Sequence, residues 1–221
     1  MSLTLYLHPL ASFCHKVLIA LYENATPFQA ETVDLGDAED RARHLARWPM
    51  AKIPLLDDAG RIVAETSIII EHLDRHHPGP VRMIPDAPED ALDVRLWDRF
   101  FDLYVSQPVQ KIVIDRLRPE GQSDPAGVAE ARALLRTAYG VIEARMAGRD
   151  WAAGAGFSMA DCAAAPALFY AETLERFDGC PALGAYYERL MTRPSVARVL
   201  VEAKPWFDLY PYREAIPARF L

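Results

Sequence analysis

The stretch "LTLYLHPLASFCHKVLIALYE", Leu3 to Glu23, decides the fold. Leu3 to Leu7 is a short apolar run of strand character, Pro9 marks a turn, and Val17, Ala20 and Leu21 then recur at helical spacing. A strand therefore hands the chain to a helix, and Ser12 and Cys14 fall at the hand-over. The first turn of a helix carries unpaired backbone N–H groups and the positive end of the helix dipole. Both favour a thiolate over a thiol, so the segment suits sulfur chemistry.

Outward from this stretch, the same grammar continues to about residue 78. "TPFQAETVDL" holds a second strand with Phe28 and Val33, and residues 37–47 are charged and helix-forming. "KIPLLDDAGRIVAE" reads as two short strands around the Asp58-Ala59-Gly60 turn, followed by a helix over 66–76. The order is βαβαββα. The stretch "HHPGPVRMIPDAPED" contains four prolines and reads as a linker, and beyond it nearly everything is helical. Leu92, Leu96, Phe100, Leu103 and Tyr104 form one face of a long helix, interrupted near Pro108. Ala129 to Met146 forms another, "GFSMADCAAAPALFYAETL" starts a buried one, and Pro181 and Pro194-Ser195 open two more. The tail 205–221 is expected to pack irregularly on the surface. The fold class is α/β plus all-α: a small α/β domain over 1–78, a linker at 79–88 and a helical domain over 89–221.

Composition narrows the function. With 51% hydrophobic and 25% charged residues, the chain can bury a sizeable core. Its net charge of −7, from 24 basic and 31 acidic residues, argues against a nucleic-acid or anionic-membrane partner. No apolar run approaches the roughly 18–20 residues that span a bilayer. Cys14, Cys162 and Cys180 are odd in number and lack metal-type spacing. Together with the want of a signal-like segment, this points to a reducing cytoplasm.

Several residues are candidates for chemistry. Pro54 interrupts a strand and is a candidate cis bond. In "AETSIIIEHLD", Thr66 or Ser67 is placed to cap a helix whose N–H groups could hold a carboxylate, and Glu65 could hold an ammonium group. In "FSMAD", Ser158 and Asp161 form a capping box, a structural feature, with Phe157 placed to staple against Cys162. His72 and His76 stand at metal-binding spacing, but no third ligand accompanies them, so no metal is expected.

Taken together, "YLHPLASFCHKVLIALYE", "WPMAKIPLL", "AETSIIIEHLD" and "GFSMADCAAAPAL", in this order and spacing, resemble the soluble glutathione S-transferase family across essentially the whole chain, with a bacterial cast. The resemblance implies a thioredoxin-like first domain, an all-helical second one, a cis bond before Pro54 and a homodimer. It also implies that glutathione is the co-substrate, with Ile53 and Pro54 at its cysteinyl part, Glu65 and Thr66 at the γ-glutamyl end and Lys52 at the glycine carboxylate. A small hydrophobic electrophile would then sit against Arg99, Phe100, Leu103 and Tyr104, in the manner of a detoxifying transferase.

Aligned on "HKVLIAL", the family's usual catalytic Ser or Cys falls on Ala11, which has no hydrogen-bond donor in its side chain. Ser12, one residue later, is the first candidate for stabilising the glutathione thiolate. Cys14 is the rival, and would make the protein a thiol transferase, disulfide reductase or isomerase. His15 could lower a thiol pKa if charged, though an exposed helix-start histidine is the plainer expectation. A third possibility is a non-catalytic binding protein on the same fold.

Overall fold

The computed structural model describes residues 3–221. Its first half contains β1 (Leu3–Leu7), α1 (Ser12–Glu23), β2 (Gln29–Thr32), α2 (Ala38–Arg47), β3 (Leu55–Asp58), β4 (Arg61–Val63) and α3 (Thr66–His76). The sheet order is β2-β1-β3-β4, with β1 parallel to β2 and antiparallel to β3, and β3 antiparallel to β4. This is the expected βαβαββα domain.

Strand β1 alternates, burying Leu3, Leu5 and Leu7 against the helices while Tyr6 on the other face lies under the Arg47 guanidinium. Strand β2 is shorter than expected: Phe28 and Val33 flank it, and its four residues are all exposed. An edge strand paired on one side needs few residues, and the Val33 N–H still bonds the Leu7 carbonyl at 2.8 Å. The β3–β4 turn places Ala59 and Gly60 at φ 52° and 93°, the two left-handed positions a tight hairpin requires.

The second half is helical: α4 (Pro88–Phe100), α5 (Gln107–Arg116), α6 (Pro125–Met146), α7 (Met159–Glu172), α8 (Pro181–Met191) and α9 (Pro194–Ala203). Pro108 does not interrupt the first long helix. A π-helical segment, Phe101–Ser106, carries α4 into α5 and absorbs the proline's missing N–H. The buried face there is Val94, Trp97, Phe101 and Val105, whereas Leu92 and Leu96 of the predicted apolar stripe are 63% and 61% exposed.

Helix α7 runs through the centre, buried along its whole length up to Ala171, and packs on α1, α4 and α8. Its capping box is present: Asp161 accepts from the Ser158 N–H at 2.9 Å and from its hydroxyl at 3.1 Å. The Phe157 ring stands edge-on to Trp151 and beneath the Arg193 guanidinium. The tail is less superficial than expected, because Phe207, Tyr210 and Ile216 are buried and Trp206 meets the His8 ring edge-on at 4.8 Å. No helix among the described residues is long and apolar enough to cross a membrane.

Candidate functional site

The two halves meet along α1. At its carboxyl end Glu23 takes a two-pronged bond from Arg193 at 2.7 and 2.6 Å, and at its amino end the Tyr170 hydroxyl donates to the Leu10 carbonyl at 2.7 Å. Helix α1 is thus held at both ends by the helical half. Beside it opens a cleft of about 520 Å³, of the size that holds a small peptide-like ligand.

One wall of the cleft is Ala11, Ser12 and Phe13; the next is Lys52, Ile53, Pro54, Glu65 and Thr66; the helical wall is Arg99, Asp102, Leu103, Gln107 and Gln110. Ser12, Lys52, Ile53, Pro54, Glu65, Thr66, Arg99 and Leu103 therefore come together as candidates from distant parts of the sequence.

Local structure explains how each is presented. Helix α1 starts at Ser12 with Ala11 as its N-cap, and no side chain caps it. With no carbonyl one turn back, the Ser12 and Phe13 N–H groups are free for a ligand. The Ile53–Pro54 bond is cis, and buried His44 bonds the Lys52 carbonyl at 2.8 Å, fixing the approach to it.

Glu65 is the N-cap of α3 at φ 68°, a left-handed conformation that costs a residue with a Cβ on the order of 1 kcal/mol or more. Neither Thr66 nor Ser67 caps that helix. The Ser67 hydroxyl instead donates to Asp98 at 2.5 Å and receives Lys16 Nζ at 3.1 Å. The amino end of α3 is left open toward the cleft.

Lys16 is fully buried, 2.7 Å from an Asp98 carboxylate oxygen and 2.8 Å from Asp102. Burial raises the Asp102 pKa, and the Lys16 ammonium works against that rise. Two carboxylates around one ammonium leave surplus negative charge, and Arg99, 3.6 Å from Asp102, offsets it at the cleft rim.

Cys14 does not reach the cleft. Its side chain is fully buried in the core, where desolvation pushes the thiol up to about 12. His15 is also buried rather than exposed, and burial drops its pKa to about 4 against the pull of the Pro9 carbonyl. It is neutral at neutral pH and supplies no cation.

Phe100 and Tyr104 also lie outside the cleft. Their rings lie 5.2 Å apart, Phe100 at the end of α4 packed against the core and Tyr104 in the π-helical segment 46% exposed. Gln107 and Gln110 were missed by the sequence reading. They continue the Arg99–Leu103 stripe at helical spacing, a signal hidden once Pro108 was taken as an interruption.

Comparison with known proteins points to one family. The family description "Glutathione S-transferase, N-terminal domain" matches residues 5–81, and "Glutathione S-transferase, C-terminal domain" matches residues 125–189. Glutathione S-transferase 1 of Triticum aestivum is 27% identical over 217 residues, covering 91% of this chain and 95% of the relative. FtsZ-localized protein A of Caulobacter vibrioides is 29% identical over 213 residues, covering 91% and 92%. A crystal structure of a glutathione S-transferase from Methylobacillus flagellatus with glutathione bound superposes with a TM-score of 0.81 at 26% identity, covering 90% of this chain and 98% of the other.

Proposed function

The chain belongs to the glutathione S-transferase family, and we propose that it binds glutathione in this cleft and stabilises its thiolate for attack on a small electrophile. One observation carries the proposal: a single cleft joins the free amino end of α1 at Ser12, the cis Ile53–Pro54 segment and the Glu65–Thr66 start of α3.

Each element suits one part of a γ-glutamyl tripeptide. The backbone at Ile53 can pair with the cysteinyl unit as an added strand. Glu65 can take the γ-glutamyl ammonium, the α3 N–H groups with Thr66 its carboxylate, and Lys52 the glycine carboxylate.

The thiol then lies at the α1 amino end. A free thiol has a pKa of about 8.5, and lowering it by ~2 units takes about 2.7 kcal/mol of preference for the thiolate. One charge-assisted hydrogen bond supplies ~1.5–3 kcal/mol, so the Ser12 hydroxyl with the helix-start N–H groups is sufficient without a donor at position 11. The thiol proton passes to solvent, and the sulfur lone pair forms the new bond to the electrophile as its leaving group departs with the bonding pair. The helical wall of Arg99, Leu103, Gln107 and Gln110 suits an electrophile with a polar or anionic substituent better than a purely hydrophobic one.

The exposed apolar side chains Leu92 and Leu96 on α4 and Ile68 on α3, the last 54% exposed, support a homodimer. All three cysteines are free, which fits a reducing compartment such as the cytoplasm. Burial of Cys14 speaks against thiol transfer through that residue.

The test is a glutathione titration at pH 7 followed by the ultraviolet thiolate difference signal, with S-methylglutathione as the control without an ionisable thiol. A saturable signal absent from the control is expected. No signal from folded protein would favour the second reading, a binding protein on this fold. Ala11 motivates that reading, as does the similarity to a relative named for its localisation with FtsZ.

A further inference from the structure

Away from the cleft, the carboxyl end of α3 gathers three groups that the sequence keeps apart. Asp58 ends β3, His72 lies in the last turns of α3, and His77 follows its last residue. The Asp58 Oδ2 atom is 2.8 Å from His72 Nε2 and 2.8 Å from His77 Nε2, and all three ligand-type atoms lie within 4.8 Å of one another. With α3 rising about 1.5 Å per residue, this cluster is roughly 10 Å or more along the helix from Glu65 and Thr66. It is a separate place on the molecule.

We propose that Asp58, His72 and His77 form a binding site for a divalent transition ion, zinc by chemistry, with water in the fourth position. Two imidazole nitrogens and one carboxylate oxygen are the borderline donor set that zinc accepts in tetrahedral geometry. Ligand atoms about 2.0–2.1 Å from such an ion are about 3.3 Å from one another. The two nitrogen–oxygen separations therefore need to open by about half an ångström, and each neutral imidazole binds the ion through Nε2 with its one proton carried on Nδ1.

The surroundings allow that adjustment. His72 is buried and fixed by the helix, whereas His77, at φ −134° and ψ 52°, lies just beyond α3 with its side chain 21% exposed. Asp58 Oδ2 already stands between the two imidazoles, 2.8 Å from each Nε2. The ion would clamp the carboxyl end of α3 to the β3–β4 hairpin.

In the sequence only the His72–His76 pair, one helical turn apart, has metal-binding spacing, and for want of a third ligand no metal is expected from it. Its rings are indeed neighbours, with centroids 4.5 Å apart, but His76 faces solvent. The experiment separates the two.

Tag-free protein, stripped with chelator and confirmed folded by circular dichroism, is titrated with zinc by calorimetry and with cobalt by visible absorption. One ion per chain with a dissociation constant of micromolar or tighter is expected, with a tetrahedral-type cobalt spectrum lacking a sulfur charge-transfer band. His77→Gln and Asp58→Asn should each weaken binding at least tenfold, while His76→Ala stays within about threefold and all three variants keep their helical signal. Three results would overturn the proposal: binding only at millimolar zinc, binding undiminished in His77→Gln, or a loss confined to His76→Ala.

Discussion

At the amino end of α7 four donors converge on one buried carboxylate; at the amino end of α1 no side chain reaches the helix at all. Asp161 accepts from the Ala152 and Ser158 N–H groups at 2.9 Å each, from the Ser158 hydroxyl at 3.1 Å and from the Tyr186 hydroxyl at 2.6 Å. Ala11 offers α1 nothing comparable. Both ends have the same orphan donors by helix geometry. The difference shows which helix start serves the fold and which is kept open for a ligand: α7 is sealed inside the core, and α1 opens on the cleft.

The contrast can be broken most sharply at its stable end. Asp161→Ala strips partners from two backbone N–H groups and the Tyr186 hydroxyl, all buried, and should cost about 3 kcal/mol or more in urea unfolding. A loss below about 1 kcal/mol would mean that the capped end is no more essential than the open one.

Second in size is a pH effect in the first turn of α1. His15 is depressed to about 4 by burial, so between pH 6.5 and 4 the unfolded chain binds a proton that the folded one refuses. Its contribution is complete above about pH 6.5 and is lost as pH falls toward 4, up to about 3 kcal/mol in all. Urea midpoints measured across this range should fall with acid in the wild type, and the slope should flatten in His15→Gln. An unchanged slope would assign the acid sensitivity elsewhere.

Ser12→Ala sharpens the functional side. A roughly tenfold drop in kcat/KM, about 1.4 kcal/mol, is expected with stability unaltered. Unchanged kinetics would give the whole role to the backbone N–H groups.

Smallest of all, Ala11→Ser would supply the missing cap, since Ala11 already has the extended conformation of a capping residue at φ −77° and ψ 120°. Stability should rise by about 1 kcal/mol in the same urea assay, because the new hydroxyl bonds the helix. If it instead raises the thiolate signal without stabilising the protein, position 11 faces the ligand.

These particulars also show where sequence was enough. The strand-to-helix turn at Leu3–Glu23, the Ala59-Gly60 hairpin and the Ser158–Asp161 box are local, set by periodicity and turn chemistry over a few residues. The cleft residues Ser12, Glu65 and Thr66 were legible because each lies at a helix start, whereas Ile53 came only from the family resemblance around Pro54.

What could not be read depends on rotation or on distance. The Leu92–Leu96 stripe looked like a packing face, but a helix with two apolar sides does not announce which one its own core takes. Burial of Cys14 follows from the two residues, about 200° of helical rotation, that separate it from Ser12. The Asp58–His72–His77 cluster exists only because β3 and α3 lie side by side, and nothing in the spacing of these residues shows it.

The hydrogen bond from Tyr170 to the Leu10 carbonyl has a consequence for how the halves can be taken apart. It makes the strand-to-helix turn a shared possession: the backbone that presents Ser12 is held in place by a residue 160 positions later. Cutting the chain in the connecting segment would leave the first half its sheet but strip α1 of its cover on α7 and leave Leu10 without its tether. The two domains are therefore one instrument with two handles.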